Sequence, residues 1–359
     1  MQEIINKNIN SYLVVNELSK TYIGGYNSIN DITFSLNKGE TLTILGSNAS
    51  GKTTILSLIA GLESVSSGEI YLDNKLINSC SIKSRNIGYI DKSLQLDSFK
   101  SVKDTLSYPL KLRKFDNNTI TEKLTKMINF CELSSISNKK IKNLSLYEKT
   151  IVGLARLGIV DRNLYLIDDI FSNLNNNEQI KIAELIKKIF AGKTLICATC
   201  EYSVAKLLDQ NYLLLLGYST MIGYGNIHNK EIFYQTIEGV KLINERKVCC
   251  IPCKISNGKI IIKGQEYPYN KQLKSDVFDK GIILLTMEKI SAQYNKKCII
   301  AEQIGYINID NVAYFDIDDE IATIYLDRDI FKLKDNIKFS FDIEDGILYD
   351  FESEQRISL

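Results

Sequence analysis

The eight residues Gly46-Ser47-Asn48-Ala49-Ser50-Gly51-Lys52-Thr53 constrain this chain more than any other stretch, because they satisfy the pattern G-x-x-x-x-G-K-[ST]. The pattern requires a buried strand before it and a helix after it. Thr41-Leu42-Thr43-Ile44-Leu45 reads as that strand, and Thr54-Ile55-Leu56-Ser57-Leu58-Ile59 reads as that helix, closed near Gly61. Glycines let the backbone amides turn inward on phosphates without a Cβ in the way, and the helix N-terminus adds partial positive charge. In such a loop Lys52 reaches the β- and γ-phosphates of a nucleotide and Thr53 meets Mg²⁺.

Length and charge bound the rest. The 359 residues, 45% apolar and 24% charged, suffice for two globular domains. Lys and Arg number 44 against 43 Asp and Glu, a net charge of +1, which argues against nucleic-acid binding driven by bulk charge. Apolar runs such as Tyr212-Leu213-Leu214-Leu215-Leu216 and Ile282-Ile283-Leu284-Leu285 are far shorter than the ~20 residues of a membrane helix. Met1-Gln2-Glu3-Ile4 shows no basic head followed by an apolar core, so a cytoplasmic location is expected. Of the eight cysteines, Cys249, Cys250 and Cys253 form one cluster, read as reduced structural thiols rather than a metal or redox site. The single histidine, His228, removes most His-based chemistry.

In chain order, residues 12–18 and 31–37 alternate apolar and polar and read as strands of a partly antiparallel layer. Tyr22, between them, is either an aromatic platform for an adenine ring or a surface tyrosine in a glycine loop; spacing alone leaves both open. Gly68–Leu72 and Asp73-Asn74 read as a hairpin, Ile87–Ile90 as a strand, and about 101–157 as a helical section. Leu164-Tyr165-Leu166-Ile167-Asp168-Asp169 is an apolar run ending in two carboxylates, as when a buried parallel strand delivers an acid to its C-terminal edge. Asp168 would hold Mg²⁺ through water, and Asp169 would orient an attacking water. Helix 177–190, ended by Gly192, then strands Thr194–Ala198 and Tyr212–Leu216, complete a β-α-β series. After about residue 246, short strand-like runs (259–263, 282–286, 297–301, 312–316, 321–326 and 337–341) predict an all-β, barrel-like module.

Together these residues resemble the ATP-binding subunit of ABC transporters over nearly the whole chain. Beside the phosphate loop and the Leu164–Asp168 strand, Leu144-Ser145 stands at the signature position and Ser172-Asn173-Leu174-Asn175 at the D-loop. The segment from Arg85 to Lys111 can be laid on the Q-loop and helical-subdomain region, and Phe339 through Ser353 looks like the close of the regulatory domain of maltose-type sugar importers. The resemblance implies an ABC-type ATP-binding domain over 1–235, with a helical subdomain at about 93–157, and an OB-like regulatory domain over 236–359. It further implies ATP and Mg²⁺ as cofactors, a sugar or related solute as cargo, and a second ATP-binding subunit as partner. Transmembrane permease subunits at the inner face of the membrane and, indirectly, a solute-binding protein complete the implied assembly.

The chain departs from the family at the residues that drive hydrolysis. Lys92 stands at the Q-loop glutamine, with Gln95 three places late; Leu146, Tyr147 and Glu148 replace the signature's two glycines and its glutamine. Asp169 stands for the catalytic glutamate, Ile170 for the proline after it, Asn175 for the D-loop aspartate, and Cys200 for the switch histidine. Lys92 brings a cation toward the phosphates but cannot ligate a metal, and Ser145 can still donate to a γ-phosphate. Asp169 is one methylene short, and Cys200 is a weak donor. MgATP binding is therefore expected with weakened hydrolysis. Two readings stay open: the non-catalytic half of a heterodimer, and a slow homodimeric transport motor.

Overall fold

The computed structural model describes residues 11–244 and, beyond them, 248–256, 259–269, 271–273, 280–286, 298–300, 302–307, 312–317, 320–325 and 338–357. Met1–Ile4 and, of the predicted strand runs, residues 297, 301, 326 and 337 lie outside them. Two compact units divide the chain, Met1–Asn229 and Lys230–Leu359.

The first unit opens with Leu13–Thr21 (β1) and Asn27–Leu36 (β2), antiparallel partners with Val15 opposite Phe34. Thr41–Gly46 (β3) follows, then helix Lys52–Ala60 (α1), Ser67–Leu72 (β4), Lys75–Leu76 (β5), the single turn Ile82–Arg85 (α2) and Ile87–Asp91 (β6). Helices Val102–Leu112 (α3), Asn117–Phe130 (α4) and Leu146–Gly158 (α5) come next. They gather a cluster of their own from Val102, Leu106, Leu110, Leu124, Leu144 and Val152. Each begins on a side-chain oxygen: Ser101 accepts from the amide of Asp104, Asp116 from that of Thr119, and Ser145 from that of Glu148. Leu164–Asp168 (β7), Asn176–Ile189 (α6), Leu195–Thr199 (β8), Tyr202–Leu208 (α7), Tyr212–Gly217 (β9) and Thr220–Asn226 (β10) complete the unit. Helix α6 is capped C-terminally by Phe190, so Gly192, at φ 69°, belongs to the turn beyond it rather than ending the helix.

Strands β2-β1-β4-β5 form an antiparallel sheet, and β10-β9-β3-β8-β7-β6 a second sheet that is parallel apart from β10. Strand β3 lies between β8 and β9, so the chain leaves the sheet toward different neighbours on either side of it, and the crevice beyond the carboxyl ends is where such sheets take ligands. Asp168 ends β7 and Gly46 ends β3 at that edge. The β3 and β7 residues, nearly all buried, read as continuous apolar runs because both faces are covered.

The second unit begins helically, with a 3₁₀ segment Lys230–Gln235 and helix Ile237–Ile243 (α8), before its strands. Its main sheet runs Gln265–Pro268, Lys259–Ile262, Val248–Ser256, Glu320–Tyr325, Val312–Ile317 and Glu302–Ile307, with Lys280–Thr286 pairing both Val248–Ser256 and Ile347–Asp350. The cysteine cluster is a strand. Cys249, Ile251, Cys253 and Ile255 face one buried cluster, whereas Cys250 faces another with Val248 and Tyr349. Strand alternation therefore sends Cys250 and Cys253 to opposite faces.

Candidate functional site

The phosphate loop is built from conformations that its sequence specifies. Ala49 and Gly51 adopt φ 62° and 101°, so the backbone around Ser50 curls into a concave run of amides. A Cβ on Gly51 would meet the Ile29 Cγ2 at 2.3 Å and the Ser28 carbonyl oxygen at 2.6 Å, and one on Gly46 would meet Ser50 Oγ at 2.4 Å. Gly51 is fixed by lack of space as well as by dihedral freedom, and Gly46 by lack of space. Lys52 is 7% exposed and folds back on the loop, its Nζ donating to the carbonyls of Gly46 at 2.9 Å and Ser47 at 2.8 Å. Burial lowers its pKa, against the pull of Cys200, Asp169 and Asp168, so these four side chains share one electrostatic neighbourhood.

Asp168 is 3% exposed. Its Oδ2 accepts from the Tyr89 hydroxyl at 3.1 Å, while Oδ1 is buried with no hydrogen-bond partner. Burial raises its pKa, and the hydroxyls of Thr53 and Tyr89 together with Lys52 oppose that rise. Ser50 Oγ and Asp169 Oδ1 are also buried without partners. Three unsatisfied acceptors around a buried ammonium are costly in a closed protein and suit a site completed by a ligand. A magnesium nucleotide fits this donor set: Thr53 and Asp168 supply hard oxygens, and the loop amides and Lys52 supply the anion's partners.

Asp169 follows the strand at φ 50°, its amide donating to the Ala198 carbonyl at 3.0 Å. Cys200 is half-buried, and burial and then Asp169 raise its thiol pKa while Lys52 opposes them. Asn48, Ala49 and Lys92 are exposed, and Ser47 is half-buried. Gln95 donates to Asp91 Oδ2 at 3.1 Å, and Arg156 holds the Leu94 and Gln95 carbonyls, so this glutamine is committed to its own loop.

Tyr22 donates through its hydroxyl to Glu63 Oε1 at 2.9 Å, lies under the Lys20 ammonium, and also reaches Thr54. Tyr26 stacks on it at 6.5 Å, is 57% exposed, and with Ser28 lines the cleft formed by Ala49–Thr54. Sequence reading passed over Tyr26, Ser28 and Tyr89. Tyr26 stands in a glycine loop, Ser28 is the second residue of β2, and Tyr89 looks like ordinary strand filler.

Ser145 is exposed at the start of α5. Its Oγ accepts from the Glu148 amide at 3.1 Å, and Glu148 Oε2 accepts from the Ser145 amide at 2.7 Å, a closed capping box. Leu146 is 42% exposed, and Tyr147 packs half-buried against the cluster of Leu154, Ile182 and Ile186. Asn175 caps α6 in the same reciprocal way with Glu178, a task for which asparagine and aspartate serve equally.

A family model described as ABC transporter matches residues 29–172, the stretch from β2 through the phosphate loop and both carboxylates. Residues 29–172 carry an ABC transporter domain. An sn-glycerol-3-phosphate import ATP-binding protein, UgpC, of Vibrio vulnificus (strain YJ016) is 28% identical over 277 residues, 75% of this chain and 73% of that protein. The trehalose import ATP-binding protein SugC of Mycobacterium tuberculosis is 27% identical over 209 residues, 57% of this chain and 53% of that one. Among solved structures, cbiO1 from Clostridium perfringens, part of the ABC transporter complex cbiONQ, matches at TM-score 0.57 and 26% identity, covering 66% of this chain and 96% of that one. An ABC transporter domain implies ATP binding. Among the described residues no helix is long and apolar enough to cross a membrane.

Proposed function

We propose that this chain is the ATP-binding subunit of an importer for a sugar or a related polar solute, binding MgATP firmly with weakened hydrolysis as the non-catalytic half of a heterodimer. The cargo class follows the names of the relatives, which import glycerol phosphate and trehalose. One observation carries the reading. The buried Asp168 Oδ1, left without a partner beside Thr53 and Lys52, supplies the acceptor that a metal-bound water needs, whereas Cys200 cannot replace a switch histidine. Gly46 to Thr54 hold the phosphates, and the Tyr22–Tyr26 pair offers the adenine a stacking face. Lys92 adds a cation at the rim.

In this reading the chain pairs with a second, competent ATP-binding subunit, presents Ser145 to that subunit's nucleotide, and docks on permease subunits at the inner membrane face, served by a solute-binding protein. Residues 93–157 act as the helical subdomain, supported by their separate apolar cluster. The unit after 229 acts as an OB-like regulatory domain, supported by its antiparallel strands. The second reading, a slow homodimeric motor, is favoured by Asp169 Oδ1, which is buried, free and near Lys52, as a water-orienting acceptor requires.

Purified protein decides between them when ATP affinity and steady-state turnover are measured with and without Mg²⁺ against a Lys52→Ala blank. Tight, Lys52-dependent binding with turnover at the blank supports the regulatory half. Turnover clearly above the blank makes Asp169 a sufficient base, and absence of Lys52-dependent binding overturns both.

A further inference from the structure

We propose that Tyr89 is a positioning residue for the Mg²⁺ site: its phenol fixes the carboxylate of Asp168 so that one oxygen stays free for the metal's water. This rests on the reading of the site as one for MgATP.

The geometry begins in the sheet. Strands β6 and β7 run parallel with Tyr89 beside Leu166, two residues short of Asp168, and a phenol is long enough to span that offset. Tyr89 packs on the cluster that contains Ile55 and Ile59 of α1, whereas its neighbour Ile90 faces the opposite cluster with Leu154 and Ile167. The ring therefore lies between the sheet and α1. Its hydroxyl donates to Asp168 Oδ2 at 3.1 Å, and the Ser57 side chain, buried in α1, lies beside the same phenol. Thr53 and Ser57 are four residues apart on α1 and share a face. Thr53 addresses Asp168, and Ser57 addresses the tyrosine that holds it.

The Tyr89 phenol takes Asp168 Oδ2 and leaves Oδ1 as the open acceptor. A carboxylate's terminal torsion is broad and roughly two-fold, so an unheld Asp168 would divide its time between orientations. Holding Oδ2 with a neutral donor selects one orientation and keeps the negative charge that a metal requires. Apolar side chains at residue 89 could fill the same space against α1 but could not fix the carboxylate.

The test is a thermodynamic cycle on the full chain. ATP affinity is measured with Mg²⁺ and with EDTA for wild type, Tyr89→Phe, Asp168→Asn and the double variant. Tyr89→Phe keeps the ring and its packing, so the EDTA affinity should stay within about twofold while the Mg²⁺-dependent gain falls about tenfold, the scale of one hydrogen bond to a charged group. In the Asp168→Asn background the same substitution should change nothing further. Equal losses with and without Mg²⁺ would make Tyr89 merely structural and overturn the proposal, as would an unchanged Mg²⁺ gain. A larger gain in Tyr89→Phe would also overturn it, by making the phenol a competitor for the carboxylate. If the wild type itself shows no Mg²⁺-dependent gain, the underlying reading of the site fails instead.

Discussion

The phosphate loop and the start of α5 are both backbone turns that present amides at a helix N-terminus, yet they are built to opposite specifications. In the loop, Gly51 stands at φ 101° with no room for a Cβ, and Ser50, Asp168 and Asp169 keep buried acceptors without partners. At the start of α5 the chain satisfies itself: Glu148 places its own carboxylate on the Ser145 amide, and Leu146 and Tyr147 put side chains on the first turn. An amide that already serves an internal carboxylate is a poor partner for a phosphate, both sterically and by like charge. The loop is left incomplete for a ligand, and the α5 terminus is complete without one.

The sharpest way to break this contrast is Gly51→Ala. Strain at positive φ together with the Ser28 and Ile29 clashes should cost about 3 kcal/mol of stability and abolish ATP binding, read as a denaturant midpoint and a binding isotherm. A fully stable, ATP-binding variant would show that the loop is not over-determined. Asp169→Glu combined with Cys200→His should come next. If the weakness in hydrolysis is local, turnover rises at least ~10²-fold; an unchanged rate would move the defect to the α5 terminus or Lys92.

At the other pole, Leu146→Gly with Tyr147→Gly should raise turnover at a composite site about tenfold by clearing the approach, at a stability cost of roughly 2 kcal/mol for two glycines in a first helical turn. No change in rate would count against the steric account. The smallest effect concerns Cys200, whose thiol pKa is raised by burial and then by Asp169. Removing that charge with Asp169→Asn lowers the pKa, so iodoacetamide labelling of Cys200 at pH 8, followed by mass spectrometry, should quicken about threefold. Slower labelling would mean that Asp169 does not face the thiol.

Legibility in the sequence followed the range of the interactions. The β3–loop–α1 unit was readable because strand, glycines and helix start are consecutive, as was β7 because an apolar run closing in Asp168 needs no distant partner to be seen. The segment Val248–Ser256 does not read as a strand from sequence, since three cysteines in five residues obscure its alternation. Helix Ile237–Ile243, at the start of the second unit, was missed because seven residues carry too little periodicity. Around the site, Tyr22 was singled out, but the structure ties its hydroxyl to Glu63 and puts the exposed Tyr26 on the cleft.

The sequence by itself determined what depends on neighbours along the chain: the phosphate loop, the strand that ends in Asp168, and the replacement of the hydrolytic residues by Asp169 and Cys200. Only the tertiary structure decided which groups meet across the sheet. Tyr89 and Asp168 are 79 residues apart, and their hydrogen bond exists because β6 pairs with β7 in one register and α1 closes over both. Lys52, Asp168, Asp169 and Cys200 come from two strand ends and one helix start, and they share a field because parallel strands deliver their carboxyl ends to one edge.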